Sequence, residues 1–419
     1  MEIDTELKKY GLIGNPLGHS FSPQIHAHLG DYEYKLYPLE TSELEAFVLS
    51  GKLDAFNVTI PYKERVMPFL DRISPEAERI GSVNTVLREP DGSLSGYNTD
   101  YFGFELMMNM HGVSVRGKKA LVLGSGGASK TAQAVLKDMG ASSVTVISRS
   151  GENNYGNLEK HSDAEIIVNT TPLGMYPKNG ATAVDLEMFP SCSGVADMVY
   201  NPEKTALLIQ AEKLGIPVAY GLTMLVAQAQ RAAELFFGKE YPDGTLSRVI
   251  SAVSAEMRNI VLVGMPGCGK STVGKIIADR LGKSFADCDS TVCEKTGLSA
   301  ARWITEFGEA RFRREETAVL AELCKQSGTV IATGGGAVTV PENRWLIRQN
   351  SRVFFINRPI ELLSSDGRPL SGDVCARRRL FESRAALYRD FCDVEIAVGE
   401  ADTPEDVADK IIRELERLF

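Results

Sequence analysis

The sequence predicts an α/β chain with two phosphate-binding loops, each at the head of its own parallel sheet. Three observations carry that prediction. GSGGAS at 124–129 follows the apolar run Ala120–Leu123, GMPGCGKS at 264–271 follows Ile260–Val263, and each loop opens a helical pattern. Strand, glycine turn and helix N-terminus, in that order, aim backbone N–H groups and a positive helix end at phosphate oxygens. The loops differ in kind: the first has the dinucleotide form, and the second ends in Gly-Lys-Ser, the nucleoside triphosphate form. Two different loops in one chain imply two reactions.

The elements follow in order. A length of 419 residues suits two or three domains. Residues 1–100 alternate strand-like runs at 10–13, 32–38, 55–59 and 82–87 with helical stretches, and 101–111 reads as a helix leading to the first loop. From 118 to 219 the pattern is strand, helix, strands at 143–148, 165–169 and 194–197, helix, and a strand at Val218, which makes a mostly parallel sheet. Only 15 residues separate Ser150 from Ile166, too few for the usual helix and strand of that half. Helices are predicted at 222–237 and 245–256, and a second α/β pattern starts at Asn259 with almost no linker. The two units are therefore expected to abut with limited freedom, and no repeat or low-complexity tract interrupts them.

Composition excludes several function classes. Net charge is −9, and it lies wholly in residues 1–256, with 22 Lys+Arg against 31 Asp+Glu; residues 257–419 balance at 24 each. Neither part has the basic excess of a nucleic-acid binder. Of the later 24 cations, 18 are Arg, whose guanidinium fork grips phosphate and carboxylate bidentately. No run of about 18 apolar residues offers a membrane span, and MEIDTELKKY lacks the apolar segment of a secretory signal. Seven cysteines with no pairing spacing read as reduced thiols of a cytoplasmic protein. Cys288 and Cys293 have four residues between them, but residues 257–419 contain no histidine, and no zinc site is predicted.

In the first half, Gly124, Ser125, Gly126, Gly127 and Ala128 are the candidate dinucleotide ligands. About 20 residues on, where an NAD site has an acid, the strand ends Ser148-Arg149-Ser150. Arg149 suits a 2′-phosphate and no acid stands there to repel one, so NADP(H) is favoured over NAD. Upstream lie GNPLGHSFSP (14–23), NVTIPYK (57–63), VNT (83–85) and YNTD (97–100); downstream lie NTTPLGM (169–175), DMVYNP (197–202) and GLTMLVAQ (221–228). With these motifs, residues 1–256 closely resemble the shikimate dehydrogenases. The resemblance implies a discontinuous three-layer substrate domain at 1–100 and 222–256 around a Rossmann NADP-binding domain at 101–221. It makes Lys63 the proton donor to the alkoxide left by hydride transfer and Asp100 its orienting partner. It gives Ser20, Ser22, Thr59, Asn84 and Gln228 to the carboxylate and hydroxyls of the substrate. Without the family, Lys63 and Asp100 read as a surface ion pair, and the Ser and Thr positions as caps or turns. Two departures stand out: the short stretch after Ser150, and Glu152, Asn153 and Asn154 where the family often has a second basic residue.

The second loop carries more chemistry. Gly264, Gly267, Cys268 and Gly269 shape it, Lys270 is placed to reach the β- and γ-phosphates of ATP, Ser271 to ligate Mg²⁺, and Thr272 follows in the helix. Asp287-Cys-Asp289 ends an apolar run, so the two acids are expected to point the same way from a strand, toward metal or a hydroxyl nucleophile; a solvated turn is the alternative. GEARFRREE (308–316), TGGGAV (333–338), GRPLS (367–371) and SRAALYR (383–389) complete an ordered set that resembles shikimate kinase over 257–419. The resemblance implies a P-loop parallel-sheet kinase domain in which Asp287 organises Mg²⁺ and Asp289 meets the attacking hydroxyl. It gives Arg313 and Arg384 to the shikimate carboxylate, passes Gly334, Gly335 and Gly336 close to the substrate ring, and brings Arg368, in a lid shorter than in many relatives, to the transferring phosphoryl group.

The combined expectation is reduction of 3-dehydroshikimate to shikimate, then phosphorylation of shikimate, with oligomeric state left open. An NAD-dependent quinate/shikimate dehydrogenase fused to a related small-molecule kinase is the alternative. A metabolite sensor built on dead enzyme folds would have lost Lys63, Asp100, Lys270, Asp287 and Asp289, and all five are present.

Overall fold

The computed structural model describes residues 8–18, 20–364 and 374–417. Its contacts divide the chain into two compact units, Met1–Val253 and Ser254–Phe419.

The first unit opens with β1 (Tyr10–Gly14), α1 (Ser22–Leu29), β2 (Tyr34–Pro38), α2 (Leu44–Leu49), β3 (Ala55–Val58), β4 (Arg72–Ile73), α3 (Pro75–Ile80), β5 (Thr85–Arg88) and β6 (Leu94–Tyr97). The strands form one mixed sheet in the order β2-β1-β3-β5-β6-β4. Residue alternation gives that sheet two apolar faces. Ile13, Phe56 and Val58 pack with Leu44, Val48 and Ala77 of α2 and α3 on one face. Tyr10, Leu12 and Ala55 pack with Ala232 and Phe236 on the other. The latter pair belongs to a helix that begins at Gly221, 124 residues after β6 ends at Tyr97, so the layer is closed by distant chain.

After α4 (Thr99–Met110) the chain enters a fully parallel sheet: β7 (Lys119–Leu123), α5 (Gly127–Asp138), β8 (Ser143–Ile147), β9 (Ile166–Asn169), β10 (Gly194–Asp197), α6 (Ala206–Lys213) and β11 (Val218–Tyr220), ordered β11-β10-β9-β7-β8. Ala120 and Val122 face α4 and α5, while Leu121 and Leu123 face α6. Both faces are covered, which is why these strands read as unbroken apolar runs. Between β8 and β9 the chain makes only a short 3₁₀ turn at Leu158–His161. Then α7 (Gly221–Phe237) returns to cover the first sheet, and α8 (Thr245–Met257) follows. Gly103 lets α4 and α7 meet closely: a Cβ there would lie 2.7 Å from the Met224 carbonyl oxygen.

The second unit contains β12 (Asn259–Val263), α9 (Lys270–Leu281), β13 (Ser284–Asp287), α10 (Cys288–Thr296), α11 (Ala300–Phe307), α12 (Glu309–Cys324), β14 (Thr329–Ala332), α13 (Glu342–Arg348), β15 (Ser351–Asn357), α14 (Val374–Phe391), β16 (Val394–Ala397) and α15 (Pro404–Arg417). All five strands are parallel, in the order β13-β14-β12-β15-β16, so the glycine loop leaves the central strand.

Sequence and structure part at several elements. The short strands β4 and β6 carry no run long enough to read. The stretch 82–87 pairs only from Thr85, because the backbone of Val83 and Asn84 bonds instead to Lys63 and Tyr97. Asp287 and Asp289 do not share a strand. β13 stops at Asp287, whose carboxylate caps α10 by accepting from Ser290 N at 3.1 Å, and Asp289 lies in the first turn of that helix. An aspartate at a strand end is equally an N-cap, and here the cap decides the backbone.

Candidate active sites

In the first unit, Lys63 Nζ lies 2.5 Å from Asp100 Oδ2, with side chains 22% and 12% exposed. Two features fix that pair. The turn carrying Lys63 hangs from Tyr62, which is buried and donates its hydroxyl to the Leu39 carbonyl, and Tyr62 N bonds Thr59 O at 2.9 Å. Asp100 sits in the first turn of α4, where the helix dipole favours a carboxylate. Asn98 caps that helix by accepting from Tyr101 N at 3.1 Å. Val83 and Asn84 together tie the two sides: Val83 N bonds Lys63 O at 2.8 Å, and Asn84 Oδ1 accepts from Thr99 N at 2.7 Å. Behind it Asn57 donates to Asn84 O and Thr85 Oγ1 and accepts from Tyr34.

The other predicted substrate residues surround this pair unevenly. Thr59 is in the same turn as Lys63. Gln228 is on α7 and packs on Gly103, one turn beyond Asp100. Ser20 and Ser22 bond each other at 3.2 Å at the entry to α1. No hydrogen bond among the described residues joins them to Lys63.

The dinucleotide loop demands glycine at its first position. Gly124 has φ +107°, and a Cβ there would lie 2.9 Å from both Thr170 and Thr171. Gly126 caps α5. Arg149 is exposed at the end of β8, near enough to Tyr155 to oppose the upward push that burial gives that phenol. Asn153 and Asn154 are spent on the loop itself: Asn154 Nδ2 donates to Gly151 O, Asn153 Oδ1 meets His161, and Asn153 O accepts from Ser148 N. One organiser went unassigned in the sequence. Asp197, at the end of β10, is fully buried, and burial pushes its carboxyl up to about 7. It accepts from Thr205 Oγ1 (2.7 Å), Asn169 Nδ2 (2.9 Å) and Val199 N (2.9 Å), binding together the loops after β9 and β10.

In the second unit the candidates converge on one cavity of about 520 Å³, lined by Gly267, Gly269, Lys270, Ser271, Thr272, Asp287, Asp289, Arg313, Gly334–Gly336 and Arg384. Gly264 and Cys268 shape the loop beneath. Lys270 is buried, and its Nζ donates to Gly264 O (2.9 Å) and Met265 O (3.0 Å), curling within the loop. Ser271 Oγ donates to Asp287 Oδ2 at 2.5 Å, which brings the hydroxyl and carboxylate oxygens side by side at the head of α9. Arg368 lies outside the described residues, as does the rest of GRPLS.

Arg313 is clamped by two acids, Glu316 Oε2 at 2.7 Å and Glu309 Oε1 at 2.8 Å, and Arg384 donates to Gly335 O at 3.1 Å. Glu316 is the residue sequence reading missed. It is completely buried; desolvation pushes its carboxyl up and the Arg313 guanidinium pulls it down. Its spacing of three from Arg313 on α12 was the available signal. The glycine trio lines the cavity and also packs against protein side chains. A Cβ on Gly336 would fall on the Arg313 guanidinium, one on Gly334 on the Glu316 carboxylate, and one on Gly335 2.6 Å from Pro266 of the phosphate loop. The room these glycines make is filled by the protein's own side chains.

Comparisons with known proteins divide the same way. Residues 12–86 match the shikimate dehydrogenase substrate binding domain model, and residues 266–416 match the shikimate kinase model. The NADP(+) shikimate dehydrogenase of Clostridium beijerinckii is 39% identical over 246 residues, 54% of this chain and 91% of the relative. The crystal structure of a chorismate mutase/shikimate 5-dehydrogenase fusion protein from Clostridium acetobutylicum matches with TM-score 0.56 and 35% identity, over 59% of this chain and 97% of that one. The Thermus thermophilus shikimate 5-dehydrogenase in complex with NADP(H) and shikimate matches with TM-score 0.54 and 31% identity, over 58% and 99%.

Proposed function

The chain belongs to the shikimate dehydrogenase family through its first unit, and from that premise we propose a bifunctional enzyme. The first unit reduces 3-dehydroshikimate to shikimate with NADPH, and the second, matched by the shikimate kinase model, phosphorylates shikimate with Mg·ATP. The observation that supports this best is the Lys63–Asp100 pair facing one chemistry while Lys270, Ser271, Asp287 and Asp289 share a cavity suited to another.

In the reductase, NADPH supplies the hydride. Lys63 holds the proton that neutralises the alkoxide, and Asp100 keeps the ammonium aimed. Asn84, Thr59, Ser20, Ser22 and Gln228 bind the acid and hydroxyl groups of the substrate. Gly124–Ala128 cradle the pyrophosphate, and Arg149 with Ser148 takes the 2′-phosphate.

In the kinase, Mg·ATP supplies the phosphoryl group and part of the charge neutralisation. Gly264, Gly267, Cys268, Gly269 and Thr272 form the loop around the phosphates, and Lys270 exchanges its two carbonyl partners for phosphate oxygens. Ser271 and Asp287 hold the cation, Asp289 orients the attacking hydroxyl, Arg313 and Arg384 take the shikimate carboxylate, and Arg368 is assigned to the transferring group. No helix among the described residues is long and apolar enough to cross a membrane, and none of the seven cysteines is paired, which supports a cytoplasmic setting.

Activity profiling tests the reading: NADPH oxidation should require 3-dehydroshikimate, and ATP consumption should require shikimate. Preference for NADH with quinate would favour the alternative dehydrogenase. Two variants probe specificity. Arg149→Gln is expected to raise KM for NADPH by roughly tenfold, the loss of one charge-assisted phosphate contact, and leave KM for NADH unchanged; equal effects on both cofactors would remove Arg149 from the 2′-phosphate. Gly336→Ala is expected to displace Arg313 and raise KM for shikimate about 10–100-fold, with the reductase unaffected; an unaltered KM would separate Arg313 from the carboxylate.

A further inference from the structure

The residues that directly follow Lys63 and Asp100 both reach the same helix, the one that opens at the dinucleotide loop. Glu64, next to Lys63, pairs with Lys130 of α5, Nζ to Oε1 2.7 Å. Tyr101, next to Asp100, donates its hydroxyl to Asp138 Oδ2 at 2.7 Å. Asp138 also takes both terminal nitrogens of Arg79 on α3, at 3.1 and 2.5 Å, and that guanidinium lies 5.9 Å from the Tyr101 ring centroid.

The grips fall at opposite ends of α5. Lys130 and Asp138 are eight residues apart, about 12 Å along a helix. Lys130 N bonds Gly126 O at 3.2 Å, so the first grip is on the glycine loop itself. Between the grips runs a small cleft lined by Arg79, Lys130, Lys137 and Asp138. The pairs are partly exposed, with side chains 42% and 55% exposed for Lys130–Glu64 and 52% and 35% for Arg79–Asp138. Ion pairs of that kind contribute little to global stability. Stability therefore gives no reason for both neighbours of one acid/base pair to converge on one helix, whereas geometry does. On the dehydrogenase reading, the glycine loop would hold the hydride donor and Lys63 the proton, and displacement by an ångström can cost about 10²-fold in rate.

We propose that Glu64–Lys130 and Tyr101/Arg79–Asp138 form a two-point clasp that sets the placement of Lys63 and Asp100 relative to the dinucleotide loop. Glu64, Arg79, Tyr101, Lys130 and Asp138 are positioning residues, acting through the pair and the loop. The inference rests on the dehydrogenase reading and adds a coupling that this reading does not contain.

The test uses the full chain, with its kinase activity as an internal control. Glu64→Gln and Asp138→Asn are each expected to lower reductase kcat by roughly 3–10-fold, and together by about 10–100-fold, with KM for NADPH within about twofold. The charge swap Glu64→Lys with Lys130→Glu is expected to recover kcat to within about threefold of the unmodified chain, while Glu64→Lys alone does not. Raising KCl should lower kcat of the unmodified reductase and leave the double variant flat. Unchanged kcat in the variants, equal loss of kinase activity, or no recovery in the swap overturns the clasp. If the unmodified chain does not reduce 3-dehydroshikimate, the dehydrogenase reading fails and takes the clasp with it.

Discussion

Lys63→Met is expected to lower kcat for 3-dehydroshikimate reduction by about 10²–10⁴-fold, the usual worth of a positioned proton donor, while shikimate phosphorylation continues at its original rate. Methionine keeps most of the side-chain volume and removes the charge. The turn that carries it is anchored by Tyr62 and by the Val83 N bond to the Lys63 carbonyl, neither of which involves the ammonium. What is lost is the proton source and the counter-charge of Asp100, which lies 2.5 Å away. The loss should appear in kcat with KM for NADPH little altered, since the glycine loop and Arg149 are untouched. Stopped-flow and steady-state NADPH oxidation measure it directly. Retention of reductase activity within tenfold would remove Lys63 from the proton-transfer role.

Lys270→Met is the mirror experiment. Its ammonium donates to two loop carbonyls, Gly264 and Met265, and lies where the phosphates of a triphosphate are expected. Removing a preorganised positive donor from a transition state costs about 10²–10³-fold in kcat. The same substitution leaves two buried carbonyl oxygens without that donor, so part of the effect falls on the loop. The reductase of the same chain reports whether the fold survives. Phosphoryl transfer measured with shikimate and Mg·ATP should fall by that factor with reductase kcat unchanged; a matched fall in both activities would argue against separate sites.

Local features were legible from sequence, and features made by long-range packing were not. Both glycine loops could be read because strand, turn and helix are consecutive residues, and the positive φ at Gly124 and Gly269 is a property of the turn itself. The pairing of Lys63 with Asp100 spans 37 residues and is legible only through the resemblance of ordered motifs. Asp287 and Asp289 were placed on a strand because an apolar run precedes them. The bond from Ser290 N to Asp287 shows that the helix had already begun, a choice between cap and strand that alternation alone does not make. Glu316 was invisible for a different reason. A glutamate among FRREE reads as solvated helix surface, and the loop at Gly334, arriving from another element, packs against its carboxylate while Arg313 pairs with it along the same helix. The glycine trio is legible in the sequence as a close approach of backbone, whereas the side chains it meets are not. The loop after β14 runs against the Arg313–Glu316 pair of α12 at Gly334 and Gly336, and against Pro266 at Gly335. The shortened stretch after Ser150 was countable in the sequence, but the use of Asn153 and Asn154 to hold that loop was not.

The central claim is that one chain makes shikimate and then consumes it. Mass spectrometry of products formed from 3-dehydroshikimate tests it most directly. With NADPH and Mg·ATP both present, the account predicts shikimate 3-phosphate. Without ATP the products stop at shikimate, and without NADPH no product forms. Phosphorylated product from 3-dehydroshikimate in the absence of NADPH, or shikimate that accumulates unphosphorylated in the complete mixture, would contradict it.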